Sequence, residues 1–72
     1  MKVHQVCNML DITPSDVAEV CNVSRQAVYW WEYKMDGEIP VTHLETIANY
    51  FPMKAERLGC ELQGDRWVYT TG

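Results

Sequence analysis

The stretch that decides the fold runs from Asp16 to Glu32 and has the sequence DVAEVCNVSRQAVYWWE. Apolar residues in its first half lie three or four positions apart or side by side, which is typical of one side of a short helix: Val17, Ala18 and Cys21. Asn22 follows, and asparagine tolerates the left-handed backbone conformation that a sharp turn needs. Ser24 is then a favourable cap for another helix. The pattern predicts two short helices joined by a tight turn.

The second of these helices is predicted to run from about Arg25 to Met35 and to have two unlike faces. Its apolar side, with Val23 behind it, consists of three residues: Val28, Trp31 and Met35. The opposite side carries polar and aromatic residues: Arg25, Gln26, Tyr29, Trp30 and Tyr33. We therefore expect Val28 and Trp31 to be buried and the polar and aromatic set to face outward.

A further helix is predicted before this pair. Its apolar residues fall at positions i, i+3, i+4 and i+7, the spacing of an amphipathic helix: Val3, Val6, Cys7 and Leu10. Asp11 and Ile12 end it. Thr13 is the expected cap of the next helix, and Pro14 suits the first helical position because its fixed φ is already helical.

A fourth helix is predicted after a turn at residues 36–38. Thr42 and Glu45 have the spacing of a capping box, which favours a helix start at this point. The residues expected to face inward are again three or four apart or adjacent: Leu44, Ile47, Ala48 and Phe51. Pro52 breaks this helix. Residues 53–58 are expected to form one more short helical turn, closed by Gly59.

The tail changes from a helical to a strand pattern. Residues 61–63 and 66–69 are separated by Gly64 and Asp65, a favourable hairpin turn, and the second run contains Trp67, Val68 and Tyr69. A lone hairpin is only marginally stable, so it must pack on the helices or on a second chain. We expect residues 61–70 to pair with the same segment of a second copy.

These patterns together predict a mainly α fold. It has four to five short helices with a central helix-turn-helix, plus a C-terminal β-hairpin. Residues 1–59 are expected to form a helix-turn-helix domain, and residues 60–72 a C-terminal extension that forms a hairpin or a dimerisation strand.

Size and composition limit the possible functions. The chain has 72 residues, which is enough for one small domain, and no apolar run approaches the roughly 20 residues that a membrane span requires. Nothing near Met1 resembles a signal peptide, so a cytoplasmic location is expected. Six basic against ten acidic residues leave a net charge of −4, so binding to DNA requires that the few cations be concentrated on one face.

The sequence offers no catalytic or metal-binding pattern. No Ser/His/Asp or Cys/His set and no carboxylate pair stands out, and an enzyme is not expected. The three cysteines, Cys7, Cys21 and Cys60, are far apart and lack a Cys-x-x-Cys motif, so we expect reduced and mostly buried thiols. His4 and Cys7 have a possible metal spacing but no second ligand pair, so neither a metal nor another cofactor is predicted.

The stretch from Asp16 to Glu32 resembles the phage Cro/repressor (Xre-like) helix-turn-helix family. The matching positions run from the first helix through the turn to the end of the second: Ala18, Asn22, Val23, Ser24, Arg25, Gln26, Val28, Trp31 and Glu32. Ile39-Pro40 and Leu44, Ile47 and Ala48 look like the fourth helix of that family, so the resemblance covers roughly residues 3–58. It implies a repressor-type transcription regulator that binds double-stranded operator DNA as a homodimer.

By this resemblance, Arg25, Gln26 and Trp30 occupy positions that face the bases. Ser24, Thr13 and Ser15 are placed near phosphates. The general chemistry agrees, because arginine donates two hydrogen bonds to guanine and glutamine pairs with adenine. Tyr29 and Tyr33 point outward beside these residues, and Lys34 is placed to contact the DNA backbone from the far end of the helix.

Other interpretations of the same residues remain open. Pro14, Asp36 and Glu38 depart from the family pattern, and exposed aromatic residues often mark protein interfaces. The chain is therefore alternatively a protein-binding anti-repressor or inhibitor with an acidic and aromatic surface. Alternatively, the hairpin packs against the aromatic side chains of this helix: Tyr29, Trp30 and Tyr33. Arg25 is alternatively a solvated residue or an ion-pair partner of Glu19 or Glu32.

Overall fold

The fold is mainly α, as predicted, in a computed structural model that describes residues 1–70. Four helices and a short 3-10 helix precede an antiparallel hairpin: α1 (Val3–Leu10), α2 (Pro14–Cys21), α3 (Arg25–Lys34), α4 (Val41–Tyr50), the 3-10 helix (Pro52–Lys54), β1 (Cys60–Gln63) and β2 (Arg66–Tyr69). None of the helices within residues 1–70 is long and apolar enough to cross a membrane.

Local capping defines the ends of the first two helices, as the sequence predicted. The Thr13 hydroxyl accepts a hydrogen bond from the Asp16 backbone N–H at 3.2 Å, and the Asp16 carboxylate accepts one from the Thr13 N–H at 3.0 Å. This reciprocal pair forms a capping box at the start of α2. Asp11 ends α1 and Asn22 ends α2, each in the left-handed conformation with φ 56°.

The end of α3 differs from the prediction by more than its boundary. Lys34 is the last helical residue, and the Trp31 carbonyl accepts hydrogen bonds from the N–H groups of Met35 at 3.3 Å and Gly37 at 2.9 Å. Met35 is 40% exposed, so the prediction that it faces the core was wrong. The physical reason is that Met35 has left the helical conformation, with φ −113°, and its side chain no longer follows the helical periodicity.

The predicted capping box of α4 is also wrong. Pro40 precedes the helix, which begins at Val41, so Thr42 lies inside the first turn and caps nothing. The Glu45 carboxylate instead accepts a hydrogen bond from the Tyr69 N–H at 2.9 Å. After α4, only the 3-10 helix is helical in the region predicted as a further helical turn. Turns follow to Gly59, whose φ of 85° suits a residue without a Cβ.

The core lies between all four helices, the following turn and the first strand. Its largest fully buried side chains come from α1, α2, α3, α4 and the turn after α4: Val3, Val6, Val17, Val28, Leu44, Ile47 and Leu58. Trp31 is 5% exposed, and its ring centroid lies 5.0 Å from that of His43. Within the described part of the chain, no polar or charged residue is buried. The core is therefore an apolar cluster whose stability comes from packing.

The hairpin forms with the predicted turn and packs on α4. Leu62 pairs with Trp67, and Cys60 pairs with Tyr69, in an antiparallel register. The Asn49 side chain accepts a hydrogen bond from the Trp67 N–H at 2.7 Å and donates one to the Trp67 carbonyl at 2.9 Å. Asn49 thus occupies the backbone groups that a further strand beside β2 would use. Residues 71 and 72 of the predicted extension lie outside the described residues.

Candidate nucleic-acid interface

The corner between α2 and α3 places the start of α3 on the surface. The Val23 N–H donates to the Ala18 carbonyl at 2.9 Å, which closes the turn, and Val23 packs half-buried against the core. The Ser24 hydroxyl then caps α3 by accepting from the Ala27 N–H at 3.2 Å. Arg25 and Gln26 begin the helix and are both exposed. The first turn of α3 is therefore held rigidly while its polar side chains remain accessible.

The exposed face of α3, which we call the outer face, consists of two neighbouring rows of side chains. Within each row, successive side chains are one helical turn apart. The first row is Arg25, Tyr29 and Tyr33, and the second row is Gln26, Trp30 and Lys34. The three aromatic side chains are exposed by 43% for Tyr29, 58% for Trp30 and 76% for Tyr33. The hairpin packs on α4 and leaves these side chains uncovered.

In the first row, Tyr29 holds the Arg25 guanidinium. Arg25 Nη2 donates to the Tyr29 hydroxyl oxygen at 2.9 Å, and the guanidinium carbon lies 5.4 Å from the centroid of the Tyr29 ring. The Tyr33 ring stacks against Tyr29 with centroids 6.3 Å apart. A guanidinium that is ordered before binding loses less conformational freedom when it contacts a ligand.

In the second row, a cation lies beside an indole. The Lys34 ammonium is 5.8 Å from the centroid of the Trp30 ring, within the range of a cation–π contact. Gln26 occupies the position one turn before Trp30 and is exposed. The outer face thus has a cation near each end, with aromatic side chains between them.

Among the residues that the structure describes, the two cations of the outer face have no carboxylate partner. Within residues 1–70, neither Arg25 nor Lys34 forms an ion pair, and Arg25 contacts neither Glu19 nor Glu32 within ion-pair distance. Glu32 lies on the flank of α3 that faces α1. The alternative in which Arg25 pairs with one of these carboxylates is therefore not what the structure contains.

Two acidic residues after α3, Asp36 and Glu38, contact cations of the N-terminal segment. Lys2 Nζ donates to the Asp36 carbonyl at 2.6 Å and lies 3.6 Å from its carboxylate. The Met1 ammonium donates to the Glu38 carboxylate at 2.8 Å, and this hydrogen bond and charge hold the pKa of Glu38 below its usual value. The negative charge next to the end of α3 is thereby partly neutralised.

The residues predicted near phosphates have different environments. The Ser24 hydroxyl accepts from a backbone N–H, which leaves its own proton free to donate. The Thr13 hydroxyl instead donates to the Asp16 carboxylate at 3.1 Å, and this carboxylate places negative charge beside Thr13. Ser15 is half-buried in the first turn of α2. Of the three, Ser24 has the surroundings best suited to an anionic partner.

The three cysteines are free thiols whose pKa values are raised by burial. Burial raises the pKa of Cys21 to about 11, and burial followed by the charge of Glu32 raises the pKa of Cys7. Burial and then Glu45 raise the pKa of Cys60. All three thiols are unpaired, and no cluster of three potential metal ligands occurs within the part of the chain that the structure covers.

The outer-face residues were predicted from the sequence, but the contacts between them were not. Arg25 and Tyr29, like Trp30 and Lys34, are separated by four positions, and side chains at this spacing are neighbours on a helix surface. The four-residue spacing therefore predicts both the Arg25–Tyr29 and the Trp30–Lys34 contact. Comparisons with protein-family models, with curated proteins and with solved structures find no match for this chain.

Proposed function

We propose that this protein is a sequence-specific DNA-binding transcription regulator of the Cro/repressor type. The carrying observation is that the two rows of the outer face of α3 hold two cations, Arg25 and Lys34, and no carboxylate, although the chain has a net charge of −4. A helix of 10 residues is about 15 Å long, and the major groove, about 12 Å wide, accommodates a helix. A phage-type regulator of this kind acts in the cytoplasm.

The contacts follow from the order of side chains along α3. Arg25, held by Tyr29, donates two hydrogen bonds to a guanine edge, and Gln26 pairs with an adenine. Ser24 donates to a phosphate at the start of the helix. Lys34 neutralises a phosphate beyond its far end. Arg25 and Gln26 in the first turn therefore contribute to base selection, and Lys34 in the last turn adds affinity that does not depend on sequence.

A homodimer is part of the proposal, because one acidic chain has few cations with which to contact phosphates. The geometry favours β1 as the pairing strand. Asn49 and Glu45 already bind the outward backbone groups of β2. Leu62, opposite Trp67, directs its own backbone groups away from β2, and its side chain is 53% exposed. A second copy that pairs antiparallel along β1 closes this open edge.

Sedimentation at micromolar concentration tests the dimer. We expect the wild-type chain to dimerise and Leu62→Lys to sediment as a monomer, because a lysine on an edge strand opposes pairing. Met53→Lys is the matched control, since Met53 is a 95% exposed apolar residue outside the hairpin. A monomeric wild-type chain, or a Leu62→Lys variant that remains dimeric, contradicts pairing through β1.

Selection from a pool of randomised DNA duplexes tests DNA binding. We expect the wild-type chain to enrich one duplex sequence and Arg25→Ala to bind that duplex more weakly. Arg57→Ala is the matched control, because it removes the same charge from an exposed position outside α3. Failure of the wild-type chain to enrich any sequence contradicts the proposal.

A second candidate function rests on the same face. Three exposed aromatic side chains on one helix are typical of a protein interface, so the chain is alternatively a protein-binding anti-repressor or inhibitor. In that case Trp30→Ala and Tyr33→Ala reduce binding to a protein partner while no duplex sequence is enriched. The selection experiment therefore distinguishes the two candidates directly.

A further inference from the structure

Hydrogen bonding to bases does not account for an exposed tryptophan at position 30. Its indole is 58% exposed and lies in the middle of the second row of the outer face, between Gln26 and Lys34. Its N–H donates no hydrogen bond to any group within residues 1–70. Tyr29, by contrast, uses its hydroxyl to hold Arg25. Trp30 thus presents a large exposed aromatic surface that forms no hydrogen bond within residues 1–70.

The major groove offers one apolar feature to such a side chain. Each base pair presents hydrogen-bond donors and acceptors there, and thymine adds the methyl group on C5. An indole has a single donor and no acceptor, so it cannot form the two-bond contacts that identify guanine or adenine. Its apolar area can cover the thymine methyl group and remove it from water.

We propose that Trp30 is a specificity-determining residue that selects a 5-methyl pyrimidine, thymine, in the bound DNA. This inference rests on the proposed function. Trp30 lies four residues beyond Gln26, about 6 Å along the helix axis, which corresponds to roughly two base-pair steps. The selected thymine therefore lies beside the base pairs that Arg25 and Gln26 contact, on the side towards Lys34.

The neighbours of Trp30 favour this role. The Lys34 ammonium, 5.8 Å from the indole centroid, restricts the orientation of the ring and brings a cation close to the adjoining phosphate. No carboxylate belongs to either row of the outer face, since Glu32 faces α1. A negatively charged backbone can therefore approach the indole without repulsion from the helix that carries it.

The test removes only the C5 methyl group of thymine from the DNA. The duplex most enriched by the wild-type chain is synthesised with each thymine replaced, one at a time, by deoxyuridine, and binding is measured by titration at fixed salt. At one position we expect affinity to fall about three- to tenfold, the size expected for loss of one buried methyl group. Trp30→Ala should bind the thymine and deoxyuridine forms of that duplex equally well.

Two further variants serve as controls. Trp30→Phe keeps an aromatic surface and should retain part of the preference for thymine. Tyr33→Ala removes an exposed aromatic side chain from the same face and should retain the whole preference. Circular dichroism and thermal melting of Trp30→Ala confirm that the domain is folded, which is expected for a change at an exposed position.

Three outcomes overturn the inference. The first is equal binding of every deoxyuridine duplex by the wild-type chain. The second is a Trp30→Ala variant that still prefers thymine, and the third is loss of the preference in Tyr33→Ala. In each of these cases a preferred duplex exists, so DNA binding itself stands. If no duplex is enriched at all, both the inference and the proposed function fail.

Discussion

Trp30 and Trp31 are adjacent in the chain and belong to opposite regions of the molecule. Trp31 is 5% exposed and packs beside His43 in the core, whereas Trp30 is 58% exposed on the outer face of α3. Successive residues of a helix point about 100° apart, so two neighbouring rings can lie on different faces of a helix that packs on one side. Folding uses the inner ring, and the outer ring remains available for a partner.

The same contrast holds for the whole of α3. Its inner side, Val28 and Trp31, is buried against apolar side chains of the neighbouring helices. The outer side pairs cations with aromatic rings and leaves them in contact with water. Substitutions on the inner side should therefore change stability, and substitutions on the outer side should change binding. The following predictions test this separation.

The largest effect is expected for Trp31→Ala. Loss of a buried aromatic side chain leaves a cavity and should lower the free energy of unfolding by about 3–5 kcal/mol, most of the stability of a small domain. Trp30→Ala should change it by no more than about 0.5 kcal/mol. Urea unfolding followed by circular dichroism measures both. If Trp31→Ala is nearly as stable as the wild type, the two faces have been assigned the wrong way round.

The next effect is expected for Arg25→Ala. Loss of a two-bond contact with a base should weaken binding to the preferred duplex by about 1–3 kcal/mol while the thermal midpoint stays close to that of the wild type. Titrations on preferred and unrelated duplexes measure the difference. An equal loss on all duplexes would make Arg25 a phosphate contact, and no loss would remove it from the interface.

A smaller effect is expected for Tyr29→Phe. This variant keeps the ring beneath the Arg25 guanidinium and removes only the hydroxyl that accepts its hydrogen bond at 2.9 Å. Binding to the preferred duplex should weaken by about 0.5–1.5 kcal/mol, the usual net value of one hydrogen bond. In the background of Arg25→Ala the same change should have no effect. An unchanged affinity in the wild-type background would show that Tyr29 does not position Arg25.

A further effect, on stability at alkaline pH, is expected for Cys21, which is buried at the end of α2. Burial raises the pKa of Cys21 to about 11, above its ordinary value of 9.0, so the folded state holds this proton more tightly than the unfolded state. The corresponding stability is complete below pH 9 and is lost as the pH rises towards 11. Urea unfolding across this range should show a weaker alkaline decline for Cys21→Ala than for the wild type. Identical declines would contradict the burial effect.

Much of this fold could be predicted from neighbouring residues alone. The capping box of Thr13 and Asp16, the left-handed Asn22 and the Gly64-Asp65 turn depend on contacts within a few positions, and each is present in the structure. The two rows of the outer face follow from helical spacing in the same way. Local geometry determines these features, because the participating groups are close in the chain whatever the rest of the molecule does.

Other features were decided only when distant segments met. Glu45 has the spacing of a capping residue, yet its carboxylate binds the Tyr69 N–H, and Asn49 binds both backbone groups of Trp67. Met35 lies outside the core because the Gly37 N–H also donates to the Trp31 carbonyl, and the chain leaves the helical conformation at that point. The sequence by itself determined the helices, their main caps and the outward face of α3. The tertiary structure decided which polar side chains of α4 serve the hairpin, because the N–H and C=O groups of β2 that face away from β1 pair with side chains that are close in space and distant in the chain.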